Sequence, residues 1–223
     1  GCSNSIINQV TVNYIPVANF ESDSVCLGNV NNFNDLSAVQ NGTITQWNWD
    51  FNGENSSASN NPTHGFVNTG NNSVNLQVTS NHSCSSSIAL NAFVFDLPES
   101  NFTVENVCLH DHILPTNLSA SNLTYNWSFG DANSSILQNP SHVYINSGNY
   151  QIDLAVTSAQ NCTTTSSQNV VIYELPMADF TANEVCPNQH TIFTDASFSS
   201  DGVITNWAWD ILNDNSTEYA SQN

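Results

Sequence analysis

The six cysteines of this 223-residue chain are its best candidates for covalent chemistry. They form two interleaved series, and in each series the successive spacings are 82 and then 78 residues. One series is Cys2, Cys84 and Cys162, and the other is Cys26, Cys108 and Cys186. Each repeat of about 80 residues therefore contains one cysteine of each series, which is typical of a disulfide framework.

This spacing predicts one disulfide within each repeat, Cys26–Cys84 and Cys108–Cys162. Cys2 and Cys186 occupy the same two positions, and we expect them to be the two halves of a further pair. Bridging Cys26 to Cys84 closes a loop of nearly sixty residues, which is worth about 4 kcal/mol in the chain-entropy model. Regular cystines indicate an oxidising, extracellular compartment, and the alternative is a set of free buried thiols.

Carboxylates that follow an aromatic stretch in each repeat are candidate calcium ligands. They are Asp50 with Glu54, Asp131, and Asp210 with Asp214. Acidic modules can hold Ca²⁺ at loop ends through carboxylate and carbonyl oxygens. Aspartate also favours turns without a metal, because its side chain hydrogen-bonds to nearby backbone amides. No repeat reproduces a full ligand set, so Ca²⁺ stays a weak candidate and no other cofactor is predicted.

No catalytic constellation is visible. His64 and His142 recur at one position of two repeats, which favours a structural role in hydrogen bonding. His110 and His112 could offer two nitrogens to zinc, but no third ligand is indicated. The sequence has no G-x-S-x-G, H-E-x-x-H or phosphate-binding loop. We therefore expect the protein not to be an enzyme.

Sequons for N-glycosylation are the main surface feature. Eleven occur, at Asn41, Asn55, Asn71, Asn81, Asn101, Asn117, Asn122, Asn126, Asn133, Asn161 and Asn215. A chain rich in Asn and Ser also produces sequons by chance. Ser24, within Asp-Ser-Val, resembles the short sites of some surface-protein O-glycosylation systems. We expect a glycoprotein, with covalent glycans at a subset of these sites.

The charge balance narrows the set of partners. The chain has 19 acidic residues and no Lys or Arg, giving a formal net charge of −19. Such a surface cannot neutralise phosphates, which excludes nucleic acid as a partner. No apolar run in these residues is long enough to span a bilayer, so we expect neither a signal peptide nor membrane insertion.

Alternating strands must position these residues. Tyr125, Trp127 and Phe129 alternate with polar residues, as expected for one face of a strand. Tyr150, Ile152, Leu154 and Val156 form a second such face. The aromatic face could be mistaken for a carbohydrate platform, but its parity is that of a core. Helix signals are weak, so the pattern predicts an all-β chain of sandwiches.

A similar short sequence begins each repeat, for example Pro16 to Phe20 and Pro98 to Phe102, and these sequences mark the boundaries between modules. Residues 16–97 and 98–175 are predicted to be two whole modules. Residues 176–223 match the first half of a third module, and residues 1–15 match the final strand of a preceding or neighbouring one. The junctions lack Gly/Ser tracts and are expected to be stiff.

A family resemblance covers nearly the whole chain. W-x-F-G-D at Trp127 to Asp131, followed by N-P-x-H-x-Y-x-x-x-G-x-Y from Asn139 to Tyr150, resembles the signature of the polycystic-kidney-disease-type (PKD) repeat. Phe51-Asn-Gly in the first repeat and Ile211-Leu-Asn-Asp in the third depart from it. The resemblance implies immunoglobulin-like β-sandwiches of extracellular, cell-surface proteins. In this family such repeats commonly space out adhesins or accompany secreted enzymes.

These observations predict an extracellular structural rod or filament subunit built from tandem repeats. Its partners would be copies of itself, head-to-tail, or further repeats of the same chain. The N-terminal residues of one copy would complete the third module of its neighbour by strand addition. The alternative is a carbohydrate- or protein-binding accessory or adhesin module of a secreted protein.

Overall fold

The computed structural model describes residues 3–211, and all regular elements in that range are β-strands. The prediction of an all-β chain is therefore confirmed. The chain divides into two compact units, residues 1–98 with 157–163 and residues 99–156 with 164–223. No helix capable of crossing a bilayer occurs among the described residues.

Unit 1 contains one large and one small sheet. Its strands are β1 (Phe20–Ser22), β2 (Val25–Cys26), β3 (Asn31–Asp35), β4 (Ile44–Phe51), β5 (Asn55–Ser57), β6 (Thr63–His64), β7 (Gly70–Ser80) and β8 (Ser85–Phe95). The large sheet has the order β2-β8-β7-β4-β5 and the small sheet β1-β3-β6. Strands β2 and β8 are parallel, and the other neighbours are antiparallel.

The second repeat has the same large sheet. Its strands are β9 (Phe102–Thr103), β10 (Val107–Cys108), β11 (His112–Ile113), β12 (Thr116–Asn117), β13 (Thr124–Ser128), β14 (Ser134–Ser135), β15 (His142–Val143), β16 (Gly148–Thr157) and β17 (Thr163–Tyr173). The order is β10-β17-β16-β13-β14, with β10 and β17 parallel, beside the pairs β11-β15 and β12-β9. In the third repeat, β18 (Phe180–Ala182) pairs with β19 (Phe193–Asp195).

Each core is the buried face of alternating strands. On β7, Val74, Leu76 and Val78 are fully buried, while the intervening Asn75 and Gln77 are exposed. This period of two is what a strand with one face on a core requires. Ile152, Leu154 and Val156 of β16 are buried as predicted, whereas Tyr150, predicted on the same face, is half-buried.

The aromatic face predicted around Trp127 is part of the second core. Tyr125, Trp127 and Phe129 are all buried. The Trp127 indole nitrogen donates to the Leu137 carbonyl at 2.9 Å, so its one polar atom is satisfied inside the core. Trp49 occupies the equivalent place in unit 1 and has no exposed surface. These rings are therefore core residues and not a carbohydrate platform.

Candidate functional site

The described residues contain one disulfide, and it joins Cys26 to Cys162. Cys26 ends β2, whereas Cys162 lies in the turn between β16 and β17. Their Cα atoms are 5.5 Å apart, within the usual range for a cystine. The bond spans 136 residues of sequence and crosslinks a cysteine of the first repeat to one of the second.

The predicted pairs Cys26–Cys84 and Cys108–Cys162 are wrong, because Cys84 and Cys108 are free thiols. The parallel pairing places Cys26 beside Phe95, at the end of β8, whereas Cys84 immediately precedes the start of that strand. Eleven residues of extended chain separate Cys84 from Phe95, or roughly 36 Å at the usual rise per residue. The two cysteines of one repeat are thus at opposite ends of a sheet.

The same register excludes a bond between Cys108 and Cys162 within the second repeat. Cys108 pairs with Tyr173 at the end of β17, again eleven residues beyond Cys162. Cys186, the equivalent residue of the third repeat, is also a free thiol and is exposed. Its predicted partner, Cys2, lies outside the described residues. We call Cys26 and Cys108, which end strands, the strand cysteines, and Cys84 and Cys162, which precede strands, the turn cysteines. From their places in the sequence period alone, Cys186 is counted with the first group and Cys2 with the second.

A histidine packs over the turn that follows the aromatic strand of the second repeat. The His142 ring stacks on Phe129, with centroids 4.3 Å apart, and its Nε2 donates to the Asp131 carboxylate at 2.8 Å. The edge of the ring meets Tyr144, whose hydroxyl donates to the Phe129 carbonyl at 2.8 Å. The predicted structural role of this histidine is confirmed, although its carboxylate partner was not predicted.

The first repeat builds a matching turn. His64 stacks on Phe51 at 4.5 Å and meets Phe66 edge-on, and its Nε2 contacts the Glu54 carboxylate at 3.2 Å. The acid thus comes from a different position of the turn than Asp131 does. The signal available in the sequence was the recurrence of an acid ten or eleven residues before the histidine.

The electrostatics of the second turn follow from these contacts. Partial burial raises the pKa of Asp131, but hydrogen bonds from Asn133 and His142 outweigh it and hold the pKa below its usual 3.8. Burial, reinforced by the Asp131 charge, raises the pKa of the Tyr144 hydroxyl. The turn therefore favours an ionised aspartate beside a neutral tyrosine.

The candidate calcium ligands serve their own turns. The Asp131 oxygens accept hydrogen bonds from Asn133 and His142, and the Asp50 carboxylate accepts one from the Gly53 amide at 2.9 Å. Asp210 is exposed, and Asp214 lies outside the described residues. Within 3–211, no group of three or more His, Cys, Asp or Glu side chains is arranged to hold a metal ion.

The H-x-H pair is divided between a turn and a strand. His110 has a φ of 70° in the turn after β10, and the His112 ring hydrogen-bonds to Ser141 at 2.8 Å.

Most of the predicted glycan acceptors are at the surface. Nine of the eleven sequon asparagines are exposed: Asn41, Asn55, Asn71, Asn81, Asn101, Asn122, Asn126, Asn133 and Asn161. Asn117 is half-buried and its amide donates to the Gln138 carbonyl at 3.0 Å. Asn215 lies outside the described residues, and Ser24 is exposed.

The third repeat has an open core. Phe20 and Phe102 of the first two repeats are 4% and 0% exposed, but the equivalent Phe180 is 54% exposed. Phe180, Phe193 and Trp209 contact one another through their rings and line a cleft of about 480 Å³.

The described N-terminal residues expose apolar side chains to solvent without forming a core of their own. Ile6, Val10 and Val12 are each more than 80% exposed. Residues 3–16 form no strand, although 6, 10, 12 and 14 have the parity of one strand face.

Two tandem all-β repeats, each with a five-stranded sheet over a buried aromatic core, define a class of immunoglobulin-like β-sandwich modules. The model of the PKD domain family matches residues 13–94 and 99–172, more than half of the chain. The chain belongs to the PKD domain family. Folds of this class are typically non-catalytic modules.

Solved structures of two PKD1 domains are similar to parts of the chain. The domain of Vibrio anguillarum Epp is 25% identical, covers 37% of this chain and 96% of its own, and aligns with a TM-score of 0.35. The domain of the Vibrio cholerae metalloprotease PrtV is 26% identical, covers 34% and 96%, and aligns with a TM-score of 0.32. A structure of carbohydrate-binding modules from the β-sandwich superfamily is 15% identical, covers 87% and 82%, and has a TM-score of 0.37.

Proposed function

We propose that the protein is a non-enzymatic structural subunit of an extracellular rod or filament whose copies associate head-to-tail. The observation that carries this proposal is the exposed core aromatic Phe180 in a repeat whose counterparts are buried. An open apolar core is costly in water and favours a covering segment of complementary shape. The segment we propose is residues 3–15 of a second copy.

The repeat itself supports this choice of occupant. Residues 1–15 match the sequence of the last strand of a module, whose counterparts β8 and β17 pair with β2 and β10. By analogy, Val12 and its neighbours would run parallel to the short segment that ends at Cys186. A contact between one end of a copy and the other end of the next is heterologous and does not close, so it generates a filament.

The proposal includes an extracellular location and glycans on the surface, each supported by its own observation. The cystine Cys26–Cys162 is typical of an oxidising compartment outside the cytosol. Nine exposed sequons would place glycans on the surface, where they add solubility. The proposal requires no cofactor. Calcium stays the weak candidate named above, and thermal melting with and without EDTA would test it.

Negative-stain electron microscopy of the purified full chain tests the proposal. We expect long regular fibres from the parent and short particles from Val10→Asp with Val12→Asp, because these charges would be buried in the neighbour's core. The matched control is Gln9→Asp with Thr11→Asp, which adds the same charge on the other parity and should leave the fibres intact. A monodisperse monomer from the parent, especially one that binds a glycan, would favour an accessory module instead.

A further inference from the structure

The observed disulfide pairs two cysteines whose counterparts recur along the chain, so the same pairing rule can be applied to those counterparts. It joins the strand cysteine of one repeat, Cys26, to the turn cysteine of the following repeat, Cys162. If the rule holds along the array, each strand cysteine has its partner one repeat further on. The partner of Cys108 would then be the turn cysteine of the third module, and the partner of Cys186 would be the turn cysteine of the module after it.

The backbone around Cys108 matches that around Cys26. The residue after each cysteine donates its amide to the last residue of the paired strand, Leu27 to Phe95 at 2.9 Å and Leu109 to Tyr173 at 2.8 Å. Each cysteine carbonyl then accepts a bond from the amide three residues on, at 3.0 Å for Cys26 and 3.1 Å for Cys108. The same turn bond, at 3.1 Å, closes on the carbonyl of Cys186.

The two turn cysteines that the structure describes, Cys84 and Cys162, are also equivalent. The carbonyl of Cys84 accepts from the Ser80 amide at 2.9 Å, and that of Cys162 accepts from the Ser158 amide at 2.9 Å. The residue before each cysteine is left-handed, with φ of 60° at Ser83 and 62° at Asn161. The turn that contains Cys84 therefore has the same backbone geometry as the turn that contains Cys162, which is already disulfide-bonded. A free thiol in this setting has the backbone of a half-cystine and lacks only its partner.

We propose that every contact between successive copies carries two disulfides, Cys108 to Cys2 of the next copy and Cys186 to Cys84 of the next copy. This inference rests on the head-to-tail arrangement proposed above. In that arrangement Cys2 is the turn cysteine of the shared third module, and Cys84 is the turn cysteine of the module after it. Together with Cys26–Cys162 these bonds use all six cysteines of the chain.

Formation of each bond is an oxidation by thiol–disulfide exchange. The two thiols lose two protons and two electrons, and a dithiol–disulfide oxidoreductase in its oxidised form accepts them and leaves as a dithiol. The free thiols are accessible to such a donor, since Cys108 and Cys186 are exposed and Cys84 is half-buried. Cys108 and Cys186 of one copy thus become covalently bonded to Cys2 and Cys84 of the next.

Non-reducing denaturing electrophoresis tests the proposal. The fibres are first oxidised, and their remaining free thiols are then blocked so that no new bonds form during the analysis. The parent should give a ladder of covalent oligomers that collapses to a monomer on reduction. Cys108→Ser alone and Cys186→Ser alone should keep the ladder, because one of the two bonds survives, whereas the double variant should give only monomer. Cys26→Ser is the matched control: it removes the bond within the chain and should leave the ladder in place.

A second pair of variants tests which cysteines are partners. Cys2→Ser with Cys108→Ser removes a single proposed bond and should keep the ladder, whereas Cys2→Ser with Cys84→Ser removes both and should abolish it. Loss of the ladder from the variant with Cys2→Ser and Cys108→Ser would overturn the pairing, because Cys2 and Cys108 would then belong to two different bonds. Fibres in the microscope that run as monomers on the non-reducing gel would overturn the cross-links while leaving the filament intact. Absence of fibres would instead refute the proposed function.

Discussion

At the scale of single residues, the histidine turn shows how two repeats satisfy one requirement with different side chains. A ring stacked on Phe129 or Phe51 needs an acceptor for its outward N–H, and Asp131 or Glu54 supplies it. The sequence predicted that His142 and His64 are structural, because they recur. It did not predict their partners, because the acid occupies a different turn position in each repeat.

The depressed pKa of Asp131 makes a prediction about acid stability. A carboxyl whose folded pKa lies below its unfolded value stabilises the protein above the unfolded pKa, and this contribution is lost as pH falls through the folded one. We therefore expect the difference in unfolding free energy between the parent and Asp131→Asn to be constant above about pH 5 and to shrink below it. Urea denaturation of both proteins between pH 2.5 and 7, on the order of eight points, would measure this. Asp111→Asn is the exposed control, and a difference that does not change with pH would contradict the prediction.

At the scale of elements, the strands could be predicted from the sequence, but the register in which distant strands pair could not. The alternation of Val74, Leu76 and Val78 identifies β7 from local sequence alone. The parallel pairing of β2 with the last residues of β8 joins segments about seventy residues apart, for which no local pattern exists. The cysteine period correctly predicts two cysteines in each whole repeat, but the bond that it predicts between them is wrong. Only the register shows that Cys26 and Cys84 are at opposite ends of the sheet.

The turn after β13 depends on a glycine for two separable reasons. Gly130 has a φ of +78°, and a Cβ there would lie 2.6 Å from the Gln151 carbonyl oxygen. Gly53 has a similar φ of +76° with nothing within 4 Å. Both alanine variants should lose about 1 kcal/mol to the left-handed backbone, and Gly130→Ala should lose about 1–3 kcal/mol more to the clash.

Chemical denaturation of the two glycine variants separates these effects, since Gly53→Ala controls for φ alone. Equal losses in the two variants would show that the sheet yields to the added methyl group without cost. A Gly-Asp pair such as Gly130-Asp131 is typical of a turn and can be recognised in the sequence. The close approach of Gln151 from β16 became visible only with the strands in place.

At the scale of the whole molecule, the formal net charge of −19 with no Lys or Arg opposes association between copies. The open third repeat and the exposed N-terminal segment favour the same association through apolar burial. Salt weakens the electrostatic repulsion between copies, because the Debye length falls from about 30 Å at 0.01 M to about 3 Å at 1 M. Assembly should therefore be governed by ionic strength.

We predict that fibres lengthen and the critical concentration for assembly falls as NaCl is raised from about 0.01 M to about 0.5 M. Sedimentation and negative-stain microscopy of the full chain would measure both quantities under reducing conditions, so that covalent cross-links do not fix the result. CaCl₂ at matched ionic strength is the control: an equal effect would show general screening, and a larger one would favour calcium at the turns that contain Asp50 and Asp131. Fibres that shorten as NaCl rises would contradict the prediction, because attraction between charges, rather than apolar burial against repulsion, would then be holding the copies together.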